Sequence, residues 1–137
     1  MSFTVRAVDY YYVNVRDELG AAYRVLAALA ARGVDLLAFT AVPSGPATAQ
    51  FALFPADANK LVAEARGAQI PLEGPHHALL VQGDDELGAF ASVHERHFDA
   101  GVDIYAAAGV TDARNAFGYV VYVREDQFAQ ALDTLGL

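Results

Sequence analysis

The chain has 137 residues, 55% of them apolar and 19% charged, with a formal net charge of −8 and no cysteine. That is the length of a domain with a real core, and it excludes disorder, which needs low hydrophobicity and high charge. The lack of thiols excludes disulfide frameworks, thiolate nucleophiles and cysteine zinc sites, and the acidic balance argues against a nucleic-acid partner.

No apolar run approaches the roughly 18 residues of a membrane span. Met1–Tyr10 carries Arg6 and Asp9 and does not read as a signal peptide. The expectation is a cytoplasmic protein with no membrane partner.

In chain order, Phe3–Val8 (FTVRAV) is a first short strand signal, and Tyr10–Val15 is an aromatic and β-branched run that reads as a strand. Leu19–Arg32 is rich in Ala and Leu. Leu19, Ala22, Leu26 and Leu29 share one helical face, and Gly33 is the expected stop. Val34–Val42 reads as a strand, PSGP as a turn, and Thr48–Phe54 as another strand. Asp57 is placed to cap a helix running to about Arg66. Ala68–Leu72 is the candidate closing strand before Gly74–Pro75.

The same order then recurs: Ala78–Gln82, Leu87–Ala100, Val102–Val110, Phe117–Arg124 and Asp126–Leu135. The recurrence is written in the residues themselves. DELGA occurs at Asp17–Ala21 and at Asp85–Ala89, an offset of 68 positions. At that offset Val25 falls on Val93, Gly33-Val34-Asp35 on Gly101-Val102-Asp103, Ala38 on Ala106, Val42 on Val110 and Phe51 on Tyr119. Two copies of one unit follow, at about 1–74 and 75–137, rather than a solenoid array.

Strand, helix, strand, strand, helix, closed by one more strand, is the ferredoxin-like split βαβ plan. The fold class expected is therefore α+β: two ferredoxin-like βαββαβ units in tandem, with antiparallel sheets and helices on one face. The second copy ends right after its last helix, so Phe3–Val8 either completes the sheet of the second unit or only extends the first strand.

The repeated turn joins strand to helix. Asp17 and Asp85 suit an N-cap, which would put Gly20 and Gly88 about three residues into each helix, where glycine costs about 1 kcal/mol against alanine. A side-chain-free helix opening suits a carboxylate. The plain alternative is an ordinary helix start with a packing glycine.

With these residues the chain resembles the small stand-alone proteins made of two ACT domains. The family's loop between first strand and first helix often reads Asp or Asn, any residue, Pro, Gly; here it reads Asp17-Glu18-Leu19-Gly20 and Asp85-Glu86-Leu87-Gly88, with leucine for proline in both. The resemblance covers residues 8–135. It implies an amino acid or similar small metabolite bound at an interface between ACT units, against those loops. The implied ligand-binding residues are Asn14, Asp17, Glu18, Leu19, Gly20, Asp85, Glu86, Leu87 and Gly88. Asp17 or Asp85 would hold the ammonium group while backbone amides hold the carboxylate. A regulatory or sensor protein without a cofactor is implied.

Two other functions stay open. His76, His77, His94, Glu95 and His97 could supply a small metal-dependent enzyme of the duplicated vicinal-oxygen-chelate kind, although that fold needs a strand where EDQFAQALDTL reads as a helix. The third reading is a structural or interaction subunit with no ligand. No catalytic constellation is present: there is no supported Ser–His–Asp arrangement, no P-loop and no Rossmann glycine pattern.

His94 falls at the centre of the face made by Leu87, Phe90, Ala91 and Phe98, so it is expected buried and neutral, bonded to a tyrosine or a backbone carbonyl, or else paired with His97 for metal or proton chemistry. His76 and His77 are adjacent and must point apart. Val34–Val42 and Phe117–Val123 are apolar on both faces, and a ferredoxin-like sheet has helices on one only. The second face needs cover from the other half or from a second chain, so a homodimer is expected. A competing reading gives Tyr10, Tyr12 and Tyr122 to a hydrophobic ligand pocket.

Overall fold

The computed structural model describes residues 3–84, 87–112 and 116–136. Their elements are β1 (Phe3–Arg16), α1 (Ala21–Ala31), β2 (Leu36–Gly45), β3 (Thr48–Pro55), α2 (Ala58–Gly67), β4 (Glu73–Asp84), α3 (Ala89–Asp99), β5 (Ile104–Thr111), β6 (Ala116–Val123), a 3-10 turn at Glu125–Gln127 and α4 (Phe128–Gly136). Among the described residues no helix is long and apolar enough to cross a membrane. The α+β class, the antiparallel pairing and the strand–helix alternation are those read from the sequence.

Two compact units divide the chain: Asp9–His76, and Met1–Val8 together with His77–Leu137. In the Asp9–His76 unit the strand order is β2-β3-β1-β4, with Tyr11 opposite Leu53 and Val13 opposite Phe51. Those four side chains form the core with Leu29 and Ala21 of α1 and Leu61 and Ala65 of α2. In the other unit the order is β1-β4-β6-β5, with Leu79 opposite Val121 and Val81 opposite Tyr119, over Ala89 and Val93 of α3 and Ala131 of α4. Phe3 and Val5 pack against this second core, and the Thr4 hydroxyl donates to the Gln82 carbonyl. β1 is thus one continuous strand whose first residues serve one unit and whose last residues serve the other.

The cores follow the 68-residue offset. Val13 and Val81, Leu53 and Val121, Phe51 and Tyr119, Ala21 and Ala89, and Val34 and Val102 occupy equivalent places. The first helix of each copy stops as expected. Val34 donates its N–H to Leu29 O and Gly33 its N–H to Ala30 O, while Val102 bonds His97 O and Gly101 bonds Phe98 O. These are two Schellman closures, with the glycines at φ 76° and 75°. α2 closes in the same way, through Ile70 to Ala65 and Gln69 to Arg66, and Gln69 takes the left-handed conformation without being glycine. Asp57 caps α2 as expected, its carboxylate accepting from Lys60 N at 3.2 Å.

Several boundaries differ from the sequence reading. Ala68–Leu72 is not a strand: Ala68 caps α2, and the strand starts at Glu73. β2 runs through Pro43 and Ser44 to Gly45, so the turn is Pro46-Ala47 rather than PSGP. α1 and α3 start at Ala21 and Ala89, two residues later than expected. Leu19 therefore precedes the helix and is 99% exposed instead of belonging to its buried face. The element after β6 is helical, as the sequence reads, and not the strand that the vicinal-oxygen-chelate alternative requires.

Tyr10 stacks on Phe54 at 4.9 Å, edge-on to Tyr12, with His76 packed against both tyrosines. Tyr10, Ala52 and Phe54 are buried within a single chain. Tyr10 is thus part of a packed aromatic cluster inside the Asp9–His76 unit and not the wall of an open pocket. The apolar residues that remain exposed lie mostly at the strand–helix loops and on β2 and β5: Leu19, Leu37, Val42, Leu87, Tyr105 and Val110.

Candidate functional site

A cavity of about 700 Å³ opens at the start of α1. Its rim is the repeated turn, Asp17 to Gly20; its walls are Ala22 and Tyr23 of α1, Ala41, Val42 and Pro43 of β2, and Ala49 and Phe51 of β3. The volume lies within the roughly 300–1,000 Å³ range of small-molecule sites, and the lining is mostly apolar with a few polar groups.

The local sequence dictates the turn. Asp17 N–H bonds Ala47 O at 2.9 Å, and Ala21 N–H bonds Glu18 O at 3.2 Å. Gly20 is the N-cap, at φ 85°, and no side chain caps the helix. This corrects the expectation that Asp17 is the cap and that Gly20 lies inside the helix. The glycine is there because the chain enters α1 through the left-handed region, which costs an L side chain about 1–2 kcal/mol. With no side-chain cap, the first-turn amides of Ala22 and Tyr23 have no partner inside the helix.

The rim is less acidic than its sequence. The Arg24 guanidinium donates to the Glu18 carboxylate at 2.8 Å and to Leu19 O at 3.4 Å. Glu18 is thereby neutralised in place. For the Asp17 carboxylate no hydrogen bond or ion pair is found among the described residues. The cavity thus combines an apolar body, a carboxylate at its lip and an uncapped helix start.

Asn14 is not brought to this cavity. On β1 it alternates with Val13 and Val15, which pack toward the helices, and its Oδ1 accepts from Gln50 Nε2 at 3.2 Å on the other face. In the second copy Asp85 and Glu86 lie outside the described residues. Leu87 is fully exposed, and Gly88 is the N-cap of α3 at φ 83°. The opening beside them, lined by Leu87, Gly88, Phe90, Thr111 and Phe117 among others, measures about 240 Å³. The wall residues Tyr23, Ala41, Val42, Pro43, Ala49 and Phe51 were missed by the sequence reading, because a motif search sees the loop and not the strands folded beside it.

The histidines are structural. His97, not His94, is the buried one, at 0% exposure. Its Nε2–H donates to Ala131 O at 3.3 Å, and Nδ1 has no hydrogen-bond partner among the described residues. Burial lowers its pKa, the Ala131 carbonyl opposes that shift, and His94 adds to it. The exposed His94 bonds the Tyr119 hydroxyl. The tyrosine bond expected for His94 is present, but His94 is exposed and the buried histidine is His97. α3 buries Ala89, Val93 and His97, one stripe further round than the face centred on His94. His76 packs on Tyr10 and Tyr12 and His77 on Phe128, so the adjacent pair does point apart. Among the described residues no group of three or more His, Asp and Glu could hold a metal ion.

No family model matches the chain, and no curated protein matches it by sequence. Solved structures do match by shape. Protein BT0572 from Bacteroides thetaiotaomicron superposes with a TM-score of 0.78 at 15% identity, over 94% of this chain and 88% of that one. The regulatory subunit of aspartate kinase from Thermus thermophilus gives a TM-score of 0.66 at 16% identity, over 98% and 95%. The corresponding subunit from Thermus flavus gives 0.59 at 15%, over 98% and 94%. These likenesses span nearly the whole of both chains, and they agree with the resemblance carried by the duplicated turn: the chain has the fold of a small tandem ACT-domain protein.

Proposed function

We propose that this protein is a regulatory or sensor module that binds a small amino-acid-like metabolite in the cavity at the start of α1. One observation carries the reading: an open apolar cavity of about 700 Å³ meets, at one end, a carboxylate with no partner among the described residues and a helix start with no side-chain cap. An α-amino acid matches that arrangement. Its ammonium pairs with Asp17, its carboxylate takes the first-turn amides of α1, and its side chain fills the space between Tyr23 and Phe51. Support also comes from the neighbours of like fold, which include regulatory subunits of aspartate kinase. Asp85, Glu86, Leu87 and Gly88 are the equivalent residues of the second copy by sequence.

The ligand lies at an interface between ACT-like units. Leu19, Tyr23 and Val42 leave exposed apolar surface around the mouth, and a second chain would cover it, giving a homodimer with the ligand at the seam. The protein catalyses nothing by itself and acts through occupancy.

The test is a thermal-shift screen with the twenty amino acids, one at a time. Stabilisation by one or a few of them, growing with concentration, is the expected result. Twenty flat responses at millimolar concentration rule the reading out.

A further inference from the structure

The two copies differ at the position that decides whether a cavity exists. At the 68-residue offset Ala22 corresponds to Phe90, Ala49 to Phe117 and Ala41 to Gly109. In the Asp9–His76 unit the three alanines are walls of the 700 Å³ cavity. In the other unit the Phe90 ring lies 4.6 Å from the Tyr119 ring and 5.5 Å, edge-on, from the Phe117 ring. Phe117 and Tyr119 are buried, and the Tyr119 hydroxyl is held by His94. Gly109 makes room for this packing, since a Cβ there would fall 2.7 Å from Tyr119 and 2.9 Å from Phe90. The two added rings and the one deleted methyl are complementary changes, and the opening that remains is about 240 Å³. That is below the usual range for a small-molecule site.

We infer that the duplicated site has been kept open in one copy and closed by its own aromatic side chains in the other, so that of the two equivalent openings only the one in the Asp9–His76 unit takes a small molecule, a ligand with a sizeable apolar body. The second unit keeps the glycine at its helix start as architecture. The inference rests on the reading that the α1 cavity binds a ligand, and it adds stoichiometry and ligand class to it.

The experiment is a fluorescence titration of the full chain with N-phenyl-1-naphthylamine, a neutral apolar probe that needs neither carboxylate nor amides. Wild type takes up one probe per chain. Ala22→Phe combined with Ala41→Gly copies the closed arrangement and abolishes uptake while circular dichroism shows the native fold. Ala49→Phe does the same by a second route, should the first variant fold poorly. Phe90→Ala opens the other copy and raises uptake to two per chain, and Phe90→Leu gives a partial gain if the alanine variant loosens the fold. Two probes per wild-type chain, none at all, or undiminished uptake by both the folded closed variants overturns the inference. The readout is separate from the amino-acid screen. A flat screen with the one-site pattern intact refutes the amino acid and keeps the asymmetry, whereas amino-acid stabilisation with two probes per chain does the reverse.

Discussion

The Nε2 of His97 lies 3.3 Å from the carbonyl oxygen of Ala131, joining α3 to α4 inside the second core, at the place where the first copy has Leu29. A histidine sits on an apolar stripe here because one hydrogen bond satisfies one ring nitrogen. The other nitrogen is buried and unbonded among the described residues, so a proton added to it gains nothing that offsets its loss of hydration.

Acid sensitivity follows. The folded-state pKa of His97 is lowered, first by burial and then by His94, against the Ala131 bond, while the unfolded chain titrates near 6.5. Below that value the unfolded state binds the extra proton and the folded state does not. The contribution of a neutral His97 is thus complete above about pH 7 and is lost as pH falls from the unfolded pKa toward the folded one, at about 1.4 kcal/mol per pH unit. His97→Leu restores the Leu29 arrangement. Urea unfolding should give a stability within about 1 kcal/mol of wild type at pH 7.5 and a clear advantage for the variant at pH 5. An unchanged difference between the two pH values contradicts the account.

Gly88 offers a clean measure of backbone conformation. It sits at φ 83°, and a Cβ added there meets nothing within 4 Å among the described residues, so no clash with them obscures the left-handed cost. Gly88→Ala should destabilise by about 1–2 kcal/mol, and Gly88→Asn by less, because asparagine tolerates this region. Gly118 is the control: it also has open space but no positive φ, and it lies in β6. Gly118→Ala should be neutral or stabilising by up to about 1 kcal/mol. Thermal melts of the three variants test the contrast.

The duplication made most of this fold legible, since DELGA and the glycine-valine-aspartate triplets aligned both copies in one register and the βαββαβ order followed. The Asp57 cap of α2 and the stop at Gly33 were equally plain, because one residue and one dihedral decide them. The helix starts were misread for a physical reason. Asp17 looks like a cap, but its amide is engaged with Ala47 across the β2–β3 turn, and the chain needs Gly20 to turn into the helix. His94 was read as the buried histidine because Phe98, which is exposed, and Leu87, which precedes the helix, were counted on its face. The loop half of the candidate site was visible in the sequence, and the strand half was not, since Ala41, Ala49 and Phe51 carry no chemistry that marks them. Comparing side-chain size between the copies at Ala22 and Phe90 was the signal that could have found the cavity.

Six of the eight large apolar residues exposed among the described residues recur in register, Tyr23 and Phe98 being the exceptions, which bears on assembly. Leu19 and Leu87, Leu37 and Tyr105, and Val42 and Val110 are equivalent pairs, and all six are exposed. Large apolar side chains kept at solvent-facing positions in both copies fit a contact surface better than chance exposure. The homodimer proposed above is expected to be the species measured by light scattering at micromolar concentration. Val42→Glu and Val110→Glu each place a charge on one member of a pair. The variant that yields monomer identifies the unit that forms the seam, and monomeric wild type removes the homodimer from the proposal.

Asp17 and Glu18 are adjacent carboxylates on one rim and should contribute unequally. Glu18 is already paired with Arg24 at 2.8 Å, on exposed side chains where such a pair is worth roughly 0–1 kcal/mol to the fold. Asp17 carries no such partner among the described residues, so its charge is available to a ligand's ammonium group. A hydrogen bond to a charged group contributes about 1.5–3 kcal/mol, and 1.4 kcal/mol is tenfold in affinity. For the amino acid that stabilises wild type, calorimetric titration of Asp17→Asn should show affinity weakened roughly tenfold or more, with the melting temperature of the free protein almost unchanged. Glu18→Gln should weaken it less, because it removes a charge that Arg24 already balances. Equal losses in the two variants, or none in Asp17→Asn, would place the ammonium group elsewhere in the cavity.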